Sequence, residues 1–373
     1  MGNDPFSGQQ APGEVLRQFL DSRGWSQEQL AAITGRSRGT IIQIMRGRAG
    51  ITPEMATVLA AAFGNSASDW MRLETSYRLS RVRPETESVQ RRAKAYGKIP
   101  VRDVQRRGWI KEAAGLDELE SEIKRFLRID SVDDAPNLSV APRRLGFDPQ
   151  LTPAQIAWCA RARELAEVLQ VAPFDPAALL KAEGELRELA AYPKEVRHLP
   201  KVLAKYGIRF VVIEPLPNGK LDGATFWLDE RSPVIAVSVR YDRIDSFWHT
   251  VFHECVHVRG GDALVVDTVI EAGTPRLPLE PREDRANRGA AEALVPQDEL
   301  ESFIRRLSPL YPAQRIIQFA HKIRMHPGII VGQLQHRAEV GYSAHRDLLV
   351  KIRSLITETA LTDGWGHSVS SLV

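Results

Sequence analysis

At 373 residues the chain exceeds one typical hydrophobic core, so two or three domains are expected. It is 43% hydrophobic and 26% charged, with a net charge of +3, which is the balance of an ordinary soluble protein. No window holds 18 apolar residues, the start Met1-Gly2-Asn3-Asp4-Pro5 lacks the basic and apolar parts of a signal peptide, and two cysteines, Cys159 and Cys255, make no disulfide framework; no membrane span and a cytoplasmic location are expected.

Residues 1–10 are polar and read as a flexible arm. Val15, Leu16, Phe19 and Leu20 then share a helical face that ends near Gly24. Ser26-Gln27-Glu28-Gln29 has the form of a capping box and opens a second helix, with Leu30, Ala31 and Ile33, that stops at Gly35. A third helix is expected from Ser37 to Met45. A fourth starts at Thr52-Pro53-Glu54, turns Met55, Val58, Leu59 and Ala62 inward and ends at Gly64; a fifth covers Ala67 to Tyr77. Five short helices, the second and third joined by a tight glycine turn, predict a helix-turn-helix domain over 11–80.

Charge is uneven in the next stretch. Residues 81–110 carry a local +6 and residues 111–150 a local −3, so 81–150 reads as a charged helical linker, with one amphipathic helix at Leu116–Leu127. Its basic part would either face phosphates or lie in solvent. Helical patterning resumes at 154–169 and 177–191. Three β-type runs follow, 208–213, 225–228 and 234–239.

Directly after these strands stands Phe252-His253-Glu254-Cys255-Val256-His257, inside a run from Asp245 to Val258 that has no Pro or Gly. On a helix, residues four apart share a face, so His253 and His257 can reach one metal ion. Glu254 beside them can take a proton from a water that the metal activates. A catalytic zinc usually has three protein ligands. Spacing leaves Asp262, Asp267, Glu271, Glu280, Glu283, Asp284 and Glu292 open for the third. Arg282 to Leu294 is a good helix candidate with small residues at Ala286 and Ala290. On it, Glu283 and Asn287 stand one turn apart, so a carboxylate ligand could have an amide neighbour. An oxyanion donor is also needed, for which Tyr241, His326 and His336 are candidates; alternatively His326 caps a turn before Pro327 and Tyr241 only packs. Cys255 reads as a small packed residue, Cys159 as a helix interior and His249 as a neighbour of the site rather than a ligand. Gly289, within the second helix, would widen a pocket.

Two resemblances add to this. Pro12-Gly13-Glu14-Val15-Leu16, Trp25-Ser26-Gln27-Glu28-Gln29-Leu30-Ala31, Thr40-Ile41, Gly47, Ile51-Thr52-Pro53-Glu54-Met55-Ala56, Trp70 and Tyr77 fall in the order seen in the HigA branch of the Cro/C1-type (XRE) family, which residues 11–80 resemble. Asp245-x-Phe247-Trp248-x-Thr250-x-Phe252-His253-Glu254-x-x-His257, then Glu283-x-x-Ala286-Asn287, with Gly223-Ala224-x-Phe226-Trp227 before and His326-Pro327-Gly328 after, resembles the ImmA/IrrE metallopeptidases over roughly 150–340. That resemblance implies one Zn2+ per chain on His253, His257 and Glu283, with Glu254 as general base.

The fold expected is therefore α+β and mostly helical: an N-terminal five-helix helix-turn-helix domain, then a zincin-like peptidase domain over 151–340 with a small β-sheet and the H-E-x-x-H helix. A C-terminal helix and tail would complete 341–373. In helix-turn-helix proteins the second helix of the motif enters the major groove by its first residues, here Arg36, Ser37, Arg38, Thr40 and Gln43. Arg reads guanine and Gln adenine; Gln27 and Arg46 are placed for the backbone. The expected partners are a double-stranded DNA operator, a protein substrate such as a repressor or antitoxin, and a second copy of the chain. The expected function is a DNA-binding regulator carrying a zinc endopeptidase, in stress, DNA-damage or phage-related control. The alternative is a HigA-like antitoxin or transcription factor whose peptidase fold only senses or binds protein.

Overall fold

The structure, a computed structural model, describes residues 10–81, 86–136, 138, 151–262, 265–268 and 281–363. It divides into two compact units, residues 1–89 and 90–373.

The first unit consists of α1 (Pro12–Arg23), α2 (Gln27–Thr34), α3 (Arg38–Met45), α4 (Pro53–Phe63) and α5 (Ala67–Arg81). The start of α2 is fixed as its sequence dictates. Ser26 Oγ accepts from Gln29 N at 3.2 Å and Gln29 Oε1 accepts from Ser26 N at 2.7 Å, so two otherwise orphaned donors are satisfied. Gly35, at φ +65°, makes the left-handed turn into α3, a conformation that costs other residues a steric clash. The five helices enclose one core built from Val15, Leu16, Leu30, Ile41, Leu59 and Trp70. Phe19 and Phe63 meet ring to ring at 5.1 Å, and Trp70 closes the cluster. Ile33 is 50% exposed, and the buried stripe of α4 is Met55, Ala56, Leu59, Ala60 and Phe63.

The second unit begins within α6 (Thr86–Lys98) and continues with α7 (Val101–Arg106), α8 (Leu116–Leu127) and α9 (Pro153–Glu167), then α10 (Leu179–Ala190) and α11 (Leu199–Lys205). Next come β1 (Arg209–Val212), β2 (Leu221–Trp227), β3 (Pro233–Val237), α12 (Ile244–Gly260), β4 (Val265–Thr268) and α13 (Pro281–Leu294). The chain closes with α14 (Gln297–Leu307), α15 (Ala313–Lys322), α16 (Pro327–His336), α17 (Arg353–Thr357) and β5 (Leu361–Thr362). The sheet order is β4-β2-β3-β1-β5, with β1 parallel to β3 and β5, and β2 antiparallel to β3 and β4.

Alternation along the strands splits the core in two. Phe210, Val212, Ile235 and Val237 pack with Trp248, Val251 and Cys255 of α12. Val211, Ile213, Ala224, Phe226 and Ala236 pack with Trp158 and Cys159 of α9. The sheet is thus a middle layer between two helical layers.

Residues 90–127, read from sequence as linker, belong to this second core: Ala95, Ile99, Val104, Trp109, Ile123 and Phe126 are buried beside Trp158. The uneven charge has a local explanation. Arg91 pairs with Asp117 and with Glu120 (2.7 Å), and Lys94 with Asp133 (2.9 Å), so part of the basic stretch is matched by the acidic one that follows. The segment expected as a C-terminal helix and tail contains the helix α17 and then also joins the sheet. Leu361 and Thr362 pair with β1, and the buried Asp363 carboxylate accepts from Trp109 Nε1 and, at 3.0 Å, from Arg161. Among the described residues no helix is long and apolar enough to cross a membrane.

Candidate metal centre and helix-turn-helix surface

α12 carries the H-E-x-x-H pattern as a helix buried from Val251 to Val258. α13 packs against it, and small residues let it come close. A Cβ on Gly289 would stand 2.8 Å from Val256 Cγ2, so Gly289 serves the approach of the two helices rather than widening a pocket. The approach brings Glu283 to the two histidines. His253 Nε2 lies 3.0 Å from His257 Nε2 and 3.3 Å from Glu283 Oε2; His257 Nε2 lies 3.6 Å from Glu283 Oε1. Among the described residues these three are the group of His, Cys, Asp and Glu whose ligand atoms all fall within 4.8 Å of one another.

The outward ring nitrogens are also engaged. His253 Nδ1 is 3.1 Å from Asn287 Oδ1, and His257 Nδ1 is 2.9 Å from Asp262 Oδ2, which also accepts from Arg285 at 2.6 Å. Because those oxygens accept, each Nδ1 donates its proton outward, and the two Nε2 atoms face Glu283 and each other. Burial works against charge on His257, but the hydrogen bonds with Asp262 and Glu283 outweigh it and raise its pKa to about 9. Burial likewise opposes charge on Glu283, yet the two imidazoles bring its pKa down to about 2. Asp262 also lies below its usual range despite burial, held there by His257 and Arg285.

Glu254, fully buried, faces the sheet: its Oε2 accepts from Thr225 Oγ1 at 2.7 Å. His249, one turn before His253, places Nε2 3.4 Å from the same Asn287 oxygen. Burial, with the nearby His253 and His336, takes its pKa down to about 4. Cys159 and Cys255 are buried thiols whose pKa burial pushes up, that of Cys159 to about 12.

Of the seven candidate third ligands, Glu283 is brought to the histidines and Asp262 stands behind His257. Asp284 pairs with Arg288 at 2.6 Å, and Glu292 accepts from Gln297 N at 3.2 Å. The Asp267 side chain, Glu271 and Glu280 lie outside the described residues. Asn287 stands beside His253 and His249. The oxyanion candidates fare differently. His326 caps α16, its Nδ1 accepting from Gly328 N at 3.1 Å. Tyr241 is 46% exposed under the Arg240 guanidinium, and His336 is exposed on α16. Sequence reading assigned no role to Thr225 and treated Asp262 only as a ligand. The turn Gly260-Gly261-Asp262 was the available signal, because the left-handed Gly261 folds Asp262 back, its N–H reaching His257 O at 3.1 Å.

In the first unit, Arg36, Ser37, Arg38, Gln43 and Arg46 are exposed, while Gln27 and Thr40 are half-buried. Ser37 and Thr40 build the start of α3: Ser37 Oγ accepts from Thr40 N at 3.1 Å and lies 2.9 Å from Thr40 Oγ1. Arg38 Nε is 3.1 Å from Glu28 Oε1. Arg36, Arg38, Gln43 and Arg46 therefore present their polar ends outward around this turn.

Residues 16–70 match the family model described as helix-turn-helix. Over 79 residues, 21% of this chain and 73% of the relative, the sequence is 34% identical to virulence-associated protein I of Dichelobacter nodosus. Over 69 residues, 18% of this chain and 73% of the relative, it is 29% identical to the uncharacterized HTH-type transcriptional regulator YddM of Escherichia coli (strain K12). Among solved structures, Pseudomonas aeruginosa antitoxin HigA with the higBA promoter is similar at 31% identity, covering 25% of this chain and 96% of that one, with a TM-score of 0.19. By the match of residues 16–70 to the family model and the 34% identity to virulence-associated protein I, of which 73% is covered, the chain belongs to the helix-turn-helix family.

Proposed function

We propose that this protein is a DNA-binding transcriptional regulator whose second unit is a zinc-dependent endopeptidase of the ImmA/IrrE kind, acting on a repressor or antitoxin. One observation carries the enzymatic half. A tetrahedral zinc with bonds of about 2.0–2.2 Å needs its donors roughly 3.4 Å apart. The three separations between His253, His257 and Glu283 are 3.0, 3.3 and 3.6 Å, and the outward nitrogens are already tied to Asn287 and Asp262, as metal-binding histidines require. His253, His257 and Glu283 would hold the ion. When bound, zinc supplies Lewis acidity, polarising a peptide carbonyl and making water a nucleophile at neutral pH. Glu254 takes the proton of the attacking water and returns it to the leaving nitrogen. Asp262 and Asn287 keep the imidazoles in one tautomer.

The DNA half rests on the helix-turn-helix family and on the exposed Arg36, Arg38, Gln43 and Arg46 at the start and end of α3, where such proteins meet base edges and phosphates. Such domains typically bind paired half-sites as dimers, and we assign this chain a homodimer on operator DNA. Metal analysis of the purified full-length protein tests the centre, with His257→Ala and Glu254→Gln as controls. One zinc per chain is expected in the unaltered protein and in Glu254→Gln, and none in His257→Ala. Mass spectrometry of repressors and antitoxins incubated with the protein should then show cleavage that Glu254→Gln abolishes. Zinc binding without cleavage would favour a regulator whose second unit only senses or binds protein.

A further inference from the structure

We infer that strand β2 aims the general base: Thr225 holds one carboxylate oxygen of Glu254 by its hydroxyl, and the missing side chain of Gly223 makes room for the other. This rests on the reading of Glu254 as the base beside a metal, and it assigns Thr225 and Gly223 as positioning residues.

Glu254 is 0% exposed, and a buried carboxylate is costly unless donors hold it. Thr225, also 0% exposed, places Oγ1 2.7 Å from Oε2. The same hydroxyl lies 3.2 Å from the Glu254 carbonyl oxygen, but it has one hydrogen, and the shorter contact to the charged acceptor is the stronger bond. The other oxygen, Oε1, lies over Gly223. A Cβ there would come within 2.6 Å of Oε1 and 2.7 Å of Thr250 Cγ2. No alanine fits without moving the carboxylate.

β2 is suited to this task because it is an inner strand. It pairs with β3 through Thr225↔Ile235 and with β4 through Thr225↔Val265, so the backbone under Glu254 is held on both sides. A register shift between Leu221 and Gly223 changes which face the strand presents. Leu221 packs in the same core as Ala224, whereas Gly223 and Thr225 both turn to α12. Bulges commonly re-aim side chains next to functional sites. Here the shift ends at the glycine that touches the base. The carboxylate, on three side-chain torsions, takes its direction from the strand.

The test uses full-length protein loaded with Co2+, whose visible absorption reports metal uptake, titrated with acetohydroxamate. This probe binds a metal and offers its own proton to the adjacent base. Thr225→Val, which keeps the shape and removes the donor, should take up Co2+ as the unaltered chain does. It should bind acetohydroxamate at least about tenfold more weakly, as weakly as Glu254→Gln does. Thr225→Ser should restore binding to within about threefold, which a merely structural role for the residue would not predict. Gly223→Ala combined with Thr250→Ser removes the methyl clash and leaves only the one with Oε1; it should also lose binding at unchanged Co2+ uptake, and it decides the matter should Thr225→Val fail to fold. Co2+ uptake with unaltered acetohydroxamate affinity in Thr225→Val, or no rescue by serine, overturns the inference alone. An unaltered chain that takes up no Co2+ overturns the metal reading and the inference with it.

Discussion

A zinc ion held as proposed would compete with a proton at His257. The imidazole has a pKa of about 9, against the ordinary 6.5, because Asp262 and Glu283 hold its proton despite burial. A metal needs the neutral ring, so each pH unit below about 9 weakens apparent zinc affinity about tenfold. From pH 9 to pH 7 the loss is about 100-fold, or ~2.7 kcal/mol at 1.36 kcal/mol per unit. Glu283, depressed to about 2, stays ionised across this range and adds no second break. Competition against a chromophoric chelator between pH 6 and 10 measures the slope. Asp262→Asn sharpens the test: it removes the charge behind Nδ1, so the break should move toward 6.5. Loss of that carboxylate also costs about 10–100-fold in intrinsic affinity, so the two effects oppose each other at pH 7 and separate at pH 9.5. Affinity that does not change between pH 7 and 9, or a break that stays put in Asp262→Asn, would refute the reasoning.

Without metal, stability should follow the same charges. The raised His257 contributes fully below pH 6.5 and is lost as pH rises through 9; the depressed Glu283 contributes above pH 4.5 and is lost as pH falls through 2. Urea unfolding of chelator-treated protein should therefore show a maximum between these limits, and zinc should flatten the alkaline side. In the first unit, Glu74 is buried, accepts from Ile51 N at 3.0 Å and pairs with Arg78. Glu74→Ala should cost about 1.5–3 kcal/mol there, read as a shift in that unit's unfolding midpoint. Asp363→Ala should take the acceptor from Trp109 Nε1 and one of the carboxylates from Arg161, and destabilise the second unit by about 3 kcal/mol, with no change in operator binding. Arg38→Ala should relax base preference in a binding-site selection, whereas Gln27→Ala should weaken all sequences alike; the reverse pattern would mean that α3 is not the reading helix.

Local signals made much of this legible in the sequence. The capping box at Ser26–Gln29, the turn glycine Gly35 and Pro53 after Thr52 are short-range chemistry, and each stands where it was expected. The four-residue spacing of His253 and His257 is likewise a property of any helix. What the sequence by itself determined, then, was a helix-turn-helix unit, a helix with two imidazoles on one face, and strands just before it.

Tertiary structure decided the rest, since the remaining partners are distant in the chain or lie across a reversal. Glu283 rather than Asp284 or Glu292 reaches the histidines because α13 packs closely against α12 at Gly289 and Val256. Thr225 meets Glu254 across 29 positions, and no periodicity in β2 marks it. The charged segment after residue 90 looked like a linker because its apolar residues are sparse. They become core only when Trp158 and the sheet supply the opposite surface. Spacing along the chain sets which side chains share a face; which faces meet depends on packing, and packing put Glu283 beside both imidazoles and Thr225 beneath Glu254.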